Sequence, residues 1–195
     1  MFTVSISGNI ATGKSTLLKE LRARGHTVFL EGLNRGSWDH LLELYYKNPE
    51  KYGYVFQTMV LADISETYIK IKQKENGIVF VERSHIDCLA FATLVHSNGH
   101  MTDVEFSLFC RLYNLVFQKP DKIIRLKLDP KICFERCKAR GRKCEKDMSV
   151  AYLSGVEKHT ANAHEKFVVV SIDVLGKTTA SIADDVEKLT KELKL

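Results

Sequence analysis

Eight consecutive residues, Gly8-Asn9-Ile10-Ala11-Thr12-Gly13-Lys14-Ser15, restrict the possible folds of this chain more than any other segment. They satisfy the pattern G-x-x-x-x-G-K-[ST], which carries meaning only between a strand and a helix. Both flanks comply. Val4-Ser5-Ile6 reads as a short strand, and residues 16–21, from Thr16 onward, read as the start of a helix. Glycines let the backbone wrap a phosphate, while the amides and the helix N-terminus supply positive potential. Lys14 is expected to reach the β- and γ-phosphates of a nucleoside triphosphate, and the Ser15 hydroxyl to face Mg²⁺.

A length of 195 residues fits one domain with a full-sized core, and the expectation is a single domain over residues 1–195. Hydrophobic residues make up 45% and charged residues 27%, which indicates a folded chain. No apolar run approaches the length of a membrane span. With the first strand beginning at once, no segment is left for a targeting peptide, so a cytoplasmic protein is expected. The net charge of +5 raises nucleic-acid binding as an option. However, the densest basic stretch, residues 136–143, lacks interleaved aromatics and suits a phosphate-closing lid. No nucleic-acid partner is therefore expected. Five cysteines, an odd number, argue against a disulfide framework, and their spacing does not match a zinc site.

Strand and helix patterns alternate. Strands are expected over 2–7, 27–31, 78–81, 122–128 and 167–172. Helices are expected over 14–24, 39–46, 54–75, 85–96, 102–118, 130–139, 147–165 and 181–193. The strands are mostly β-branched and apolar, as in a parallel sheet covered by helices on both faces. Ligands then belong at the carboxyl ends of the strands. There lie the glycine-rich loop, Glu31, the Glu82-Arg83-Ser84 run and Asp129.

Glu31 closes the second strand and could accept a proton from an attacking hydroxyl. Glu82 could hold Mg²⁺, and Arg83 could place the attacking oxygen or steady a transferring phosphoryl group. Arg136 and Arg140 share a helix face, with Arg142 in the loop beyond. Guanidinium forks match phosphoryl oxygens. Glu145 could hold a sugar hydroxyl when that loop closes. Gln57, among apolar neighbours, could read a nucleobase edge, and Trp38, Tyr46, Phe56 and Phe91 could line a flat slot.

Taken together, these residues resemble the deoxynucleoside kinase family over nearly the whole chain. The resemblance rests on the loop 8–15, on Glu31, and on Leu41-Leu42 through Tyr46 and Pro49. It continues through Phe56-Gln57, Glu82-Arg83-Ser84, the run Arg136, Arg140, Arg142, Glu145, and Tyr152-Leu153 to His159. It implies a P-loop nucleoside kinase fold, a five-stranded parallel sheet flanked by helices with an arginine-rich lid over about 136–147. It implies ATP as donor and Mg²⁺ as cofactor. Glu31 would be the base toward the 5′-hydroxyl with Arg83 as its partner. Gln57 would pair with the base, Tyr46 and Glu145 would hold the 3′-hydroxyl, and Arg140 and Arg142 would bind phosphates. Val60, Ile64 and Cys88 match positions that shape the pocket near the base. Small, uncharged residues there accompany acceptance of thymine, so thymidine, with deoxycytidine as a second substrate, is expected. The resemblance also implies a homodimer, through the helices from Asp87 and from Asp103. End-product inhibition by a deoxynucleoside triphosphate is expected, since such a ligand could span both sites.

The chain departs from the family pattern at four places. Ala11 stands where glycine is common, and Gly32 where proline is usual. Trp38 lies farther from Glu31 than the family tryptophan does. Ala92 falls where a base-stacking phenylalanine is expected, with Phe91 beside it. Two other activities fit the phosphate loop: a nucleoside monophosphate kinase such as thymidylate kinase, and a nucleotide-dependent binding switch.

Overall fold

The computed structural model describes residues 1–32, 38–73, 76–142, 145–146 and 148–191. Five strands are present among them: β1 (Phe2–Gly8), β2 (Thr27–Phe29), β3 (Ile78–Glu82), β4 (Lys122–Lys127) and β5 (Val169–Asp173). Eight helices alternate with them: α1 (Lys14–Ala23), α2 (Asp39–Lys47), α3 (Pro49–Lys72), α4 (His85–Ser97), α5 (Asp103–Val116), α6 (Pro130–Arg140), α7 (Val150–His164) and α8 (Thr179–Lys191). The strands form one sheet in the order β2-β3-β1-β4-β5, and every pairing is parallel. From β1 the chain fills one side of the sheet with β2 and β3 and the other with β4 and β5. The loop after β1 therefore lies at the switch point, where parallel sheets bind ligands.

Val4 and Ile6 of β1, with Phe80, Ile124 and Leu126, pack against Leu17, Leu18 and Leu21 of α1 and Ile182, Ala183 and Val186 of α8. On the other side Val79 and Val81 meet apolar residues of α3, α4 and α5, including Leu61, Tyr68, Ala92, Val95 and Phe109. β1 departs from the mostly apolar pattern expected of the strands. It alternates, with Thr3, Ser5 and Ser7 between Val4 and Ile6, yet all five are buried. Both faces of β1 are covered, and one of them is lined with hydroxyls.

Most element boundaries lie within a few residues of those expected, and the larger differences have local causes. Helix α3 starts at Pro49 rather than at residue 54, because the Asn48 side chain accepts a hydrogen bond from the Lys51 amide at 3.1 Å and proline occupies the first turn. Helix α7 starts at Val150, where Ser149 caps the Tyr152 amide at 3.1 Å. Strand β2 ends at Phe29, so Leu30 and Glu31 leave the ladder. The expected limits at Glu75, Asp147 and residue 193 lie outside the described residues, as do Lys143 and Cys144 of the lid. Thr102 and Glu105 form the expected capping box at the start of α5. No helix among the described residues is long and apolar enough to cross a membrane.

Gly53 lets α3 approach the turn after α4. A Cβ at this position would lie 2.3 Å from the His100 carbonyl oxygen and 2.9 Å from Val95 Cγ1. In an open helix, Gly→Ala gains roughly 1 kcal/mol. Here the obstacle is backbone, so Gly53→Ala is expected to lower stability by about 1–3 kcal/mol, the range for overpacking. Urea unfolding reads the sign directly. A raised midpoint would mean that α3 can move away from the turn.

Candidate active site

The loop after β1 is shaped by backbone geometry. Gly8 has a φ of 136°, and a Cβ there would sit 2.5 Å from the Leu126 carbonyl oxygen, so only glycine lets β1 and β4 stay paired while the chain turns. Ala11 has a φ of 63°, a left-handed conformation that explains why glycine suits this place. Asn9 serves the loop rather than the cavity. Its Oδ1 accepts from the Ile10 amide at 2.8 Å, and its Nδ2 donates to the Leu153 carbonyl at 2.8 Å, tying the loop to α7. The Thr12 hydroxyl donates to the Asn9 carbonyl at 3.0 Å. Gly13 precedes α1 and leaves that helix N-terminus open toward the cavity.

A cavity of about 390 Å³ opens above the carboxyl ends of the strands. Its phosphate-loop end is lined by Ile10, Ala11, Gly13, Lys14, Ser15 and Thr16. Lys14 is buried, and its Nζ donates to the carbonyls of Asn9 at 2.6 Å and Gly8 at 3.1 Å. Burial, and then the charge of Arg83, lower its pKa to about 8 despite the carboxylates of Glu31, Glu82 and Asp87. The Ser15 hydroxyl donates to Glu82 Oε1 at 2.6 Å. Burial and the adjacent Glu31 charge hold the Glu82 carboxyl above the ordinary carboxylate range, against the pull of Lys14, Ser15 and Arg83. A hydroxyl and a carboxylate side by side form a hard oxygen pair. Together they fit Mg²⁺, which commonly takes one or two protein oxygens and completes its shell with water and phosphate.

Glu31 and Arg83 meet across the middle of the cavity, the Arg83 guanidinium donating to Glu31 Oε2. The guanidinium also lies over the Phe91 ring, 4.9 Å from its centroid. Phe91 lines the cavity, whereas Ala92 is fully buried in the core. The aromatic therefore stands one residue from the family position, on the cavity side of α4.

Beyond this pair lies a slot bounded by Trp38, Tyr46, Phe56, Val60, Ile64 and Cys88. Gln57 is buried within it, and its Oε1 has no hydrogen-bond partner among the described residues. A buried amide oxygen left unbonded is costly unless a ligand or water satisfies it. Two departures from the family pattern share one explanation here. A Cβ at Gly32 would lie 2.0 Å from Trp38 Nε1, so the glycine is what allows the relocated tryptophan to pack against the backbone after Glu31.

The lid arginines line the mouth of the cavity. Arg136 and Arg140 project from α6, and Arg142 follows Gly141. Arg140 grips Glu145, its Nε and Nη2 donating to Oε2 at 3.2 and 2.6 Å and Nη2 also reaching Oε1 at 2.6 Å. Arg142 stands 3.5 Å from Glu145 Oε1.

Lys19, Leu42, Tyr45 and Tyr152 also line the cavity; Lys19 and Tyr45 carry no mark in the sequence, whereas Leu42 and Tyr152 stand in the family motifs without a role at the site. Tyr45 stacks on Phe56 with centroids 5.3 Å apart and planes within 9°, which makes it the outer wall of the slot. Its position beside Tyr46 and eleven residues before Phe56 gave no periodic signal, because the two rings stand on different helices, α2 and α3, joined by a turn. Tyr152 was legible only as part of a motif.

Comparisons with known proteins identify relatives of this chain. The deoxynucleoside kinase family model matches residues 4–194. The probable deoxycytidine kinase of fowlpox virus is 33% identical over 183 residues, covering 89% of this chain and 78% of that protein. The deoxyadenosine kinase of Dictyostelium discoideum is 31% identical over 169 residues, covering 85% of this chain and 66% of that one. Among solved structures, deoxyadenosine kinase from M. mycoides, with products dCMP and a flexible dCDP bound, superposes with a TM-score of 0.86 at 20% identity, covering 98% of this chain and 100% of that one. That superposition establishes the fold, while the match along nearly the whole sequence establishes kinship: this chain belongs to the deoxynucleoside kinase family.

Proposed function

We propose that the protein transfers the γ-phosphoryl group of ATP to the 5′-hydroxyl of a deoxynucleoside, with thymidine as first substrate and deoxycytidine as second. The support is the continuity of one cavity, which joins the phosphate loop, the Glu31–Arg83 pair and an uncharged slot bearing an unpartnered amide oxygen. The Gln57 amide pairs with the base, and Val60, Ile64 and Cys88 leave room for the thymine methyl group. Tyr46 and Glu145 hold the 3′-hydroxyl, and Trp38, Phe56 and Phe91 wall the base and sugar. The relatives named for deoxycytidine and deoxyadenosine keep both nucleosides among the substrates to be tested.

In the reaction, the Glu31 carboxylate accepts the 5′-hydroxyl proton as that oxygen bonds to the γ-phosphorus. The bond from phosphorus to the β-bridging oxygen breaks, and its electron pair leaves on ADP. Arg83 turns from Glu31 toward the nucleophile and the transferring group. Lys14 bears on the β- and γ-phosphates, with Gly8, Asn9, Ile10, Ala11, Thr12, Gly13 and Thr16 shaping or lining the loop. Mg²⁺, held through Ser15 and Glu82, would neutralise phosphate charge. Arg136, Arg140 and Arg142 close on the phosphates, and the transfer of Arg140 and Arg142 from Glu145 frees that carboxylate for the sugar. A deoxynucleoside triphosphate that fills slot and loop together would act as an end-product inhibitor.

We also propose a homodimer built on α5. Its Val104, Leu108 and Leu115 stand exposed at helical spacings, whereas α4 is largely buried within the chain.

The decisive assay is ADP release from MgATP with thymidine, deoxycytidine, deoxyadenosine, deoxyguanosine, uridine and dTMP. Turnover with thymidine and not dTMP is expected, and turnover with dTMP alone would make the protein a nucleotide kinase. Glu31→Gln is expected to lower kcat by about 10²–10⁴-fold, the usual contribution of a general base. Full turnover in that variant would remove Glu31 from the role.

A second expectation concerns Lys14. Nucleotide phosphates favour its charged form, so binding raises a pKa that stands at about 8 in the free protein. Titration of MgATP in buffers of differing ionisation enthalpy should show uptake of up to about half a proton at pH 8. Uptake should vanish near pH 6.5, and affinity should fall as pH rises above 8. Proton release at pH 8 would contradict this assignment.

A further inference from the structure

Arg83 occupies a conformation that its own side chain disfavours. Its φ is 61°, in the left-handed region, where a residue of this kind persists only if its surroundings over-determine it. One support is the Arg83 amide, which donates to the Ile6 carbonyl at 3.0 Å. The other lies four residues on. Asp87 Oδ2 accepts from the Ser84 amide at 2.9 Å and the Ser84 hydroxyl at 3.1 Å.

A capping box at the start of α4 asks of this carboxylate only the bond from the Ser84 amide, the Ser84 hydroxyl capping the Asp87 amide in return. Asp87 does more. Its second oxygen, Oδ1, accepts from the Ser7 hydroxyl of β1 and lies 3.4 Å from His164 Nε2 at the end of α7. The carboxylate thus joins four pieces of the fold: β1, the turn bearing Arg83, α4 and α7. All three partners are buried, and His164 Nδ1 has no hydrogen-bond partner among the described residues. Desolvation alone would raise the Asp87 carboxyl. The bond and charge of His164, the Ser7 hydroxyl and the Arg83 charge outweigh it and hold the pKa at about 2. A fully buried, ionised carboxylate is retained at considerable expense beside an apolar core. None of its contacts enters the cavity.

We propose that Asp87, fixed by Ser7 and His164, is a positioning residue for phosphoryl transfer: it holds the 82–84 turn so that the Arg83 guanidinium faces the reacting oxygen. This rests on the assignment of Arg83 to the transferring group. Loss of either anchor lets the turn relax toward an unstrained φ and withdraws the guanidinium. The slot for the base, built on α2, α3 and the far side of α4, is left in place. The defect therefore falls on kcat and spares nucleoside binding.

The test compares Ser7→Ala, His164→Leu, His164→Gln and Arg83→Ala in steady-state kinetics with MgATP and the preferred deoxynucleoside, alongside urea unfolding. Ser7→Ala and His164→Leu are expected to lower kcat by about tenfold or more while the deoxynucleoside KM stays within about threefold, since small misplacements of a reacting group are costly. His164→Gln should recover most of kcat, because its amide nitrogen donates from nearly the place of Nε2. Unchanged kcat in both deletions would overturn the proposal. So would equal losses in the Gln and Leu variants, or losses that only follow the folded fraction. If His164→Leu does not fold, Ser7→Ala, which removes one hydroxyl, decides alone. Full turnover in Arg83→Ala would instead overturn the role given to Arg83. An inactive Arg83→Ala beside unaffected Ser7→Ala and His164→Leu would preserve that role and reject the positioning function of Asp87.

Discussion

Lys14, Glu31, Glu82 and Arg83 bring two positive and two negative charges into one buried end of the sheet. None would tolerate that place alone, since an isolated buried charge costs several kcal/mol after relaxation. Their mutual arrangement is fixed by topology. β1 delivers Lys14 through the glycine-rich turn, β2 delivers Glu31 just past its ladder, and β3 delivers Glu82 and Arg83. Parallel pairing places all three carboxyl ends at one edge. The lowered Lys14 pKa and the raised Glu82 pKa share a first cause, burial, which disfavours the charged form of each group. Phosphates with a divalent cation supply charge of both signs.

Much of this was legible in the chain. The phosphate motif needed a strand before it and a helix after it, and it has both. The apolar β-branched runs indicated a parallel sheet, and carboxylates that abruptly end such runs marked the cleft. Glu31 and the 82–84 run were visible for that reason. Tyr45 and Lys19 were not, because lining a cavity is a property of helices crossing and leaves no local pattern. The alternating hydroxyls of β1 were also a signal. In a strand covered on both faces, Ser7 implies polar partners on the covering helices, whereas the Ser5 hydroxyl has none among the described residues. Asp87 and His164 are 77 residues apart in sequence, and only packing of α7 on α4 reveals them as those partners.

The lid shows a related principle in a different form. Arg140 and Arg142 share a single carboxylate, Glu145, which lies in the same cavity. Guanidinium groups lining the cavity suit an incoming polyanion. In the proposed reaction, exchange of these arginines onto the phosphates would release Glu145 toward the sugar. Charge spacing in the sequence identified the members of this set. It did not show that they neutralise one another first.

Gly32 and Trp38 illustrate how apparent departures from a family pattern combine into one structural solution. Considered separately, a missing proline and a displaced tryptophan each weaken the outline of the pocket. In the fold they are complementary, because the indole occupies the volume that any side chain at position 32 would need. The tryptophan then meets Phe56 edge-on, with centroids 6.0 Å apart, while Tyr45 stacks on the same ring. Phe56 is therefore held on two sides by neighbours that differ from the motif positions. Its own place, next to Gln57, matches the motif. Gln57 lies beside this wall, and a single substitution at Gly32 would disturb it next to the Glu31 carboxylate.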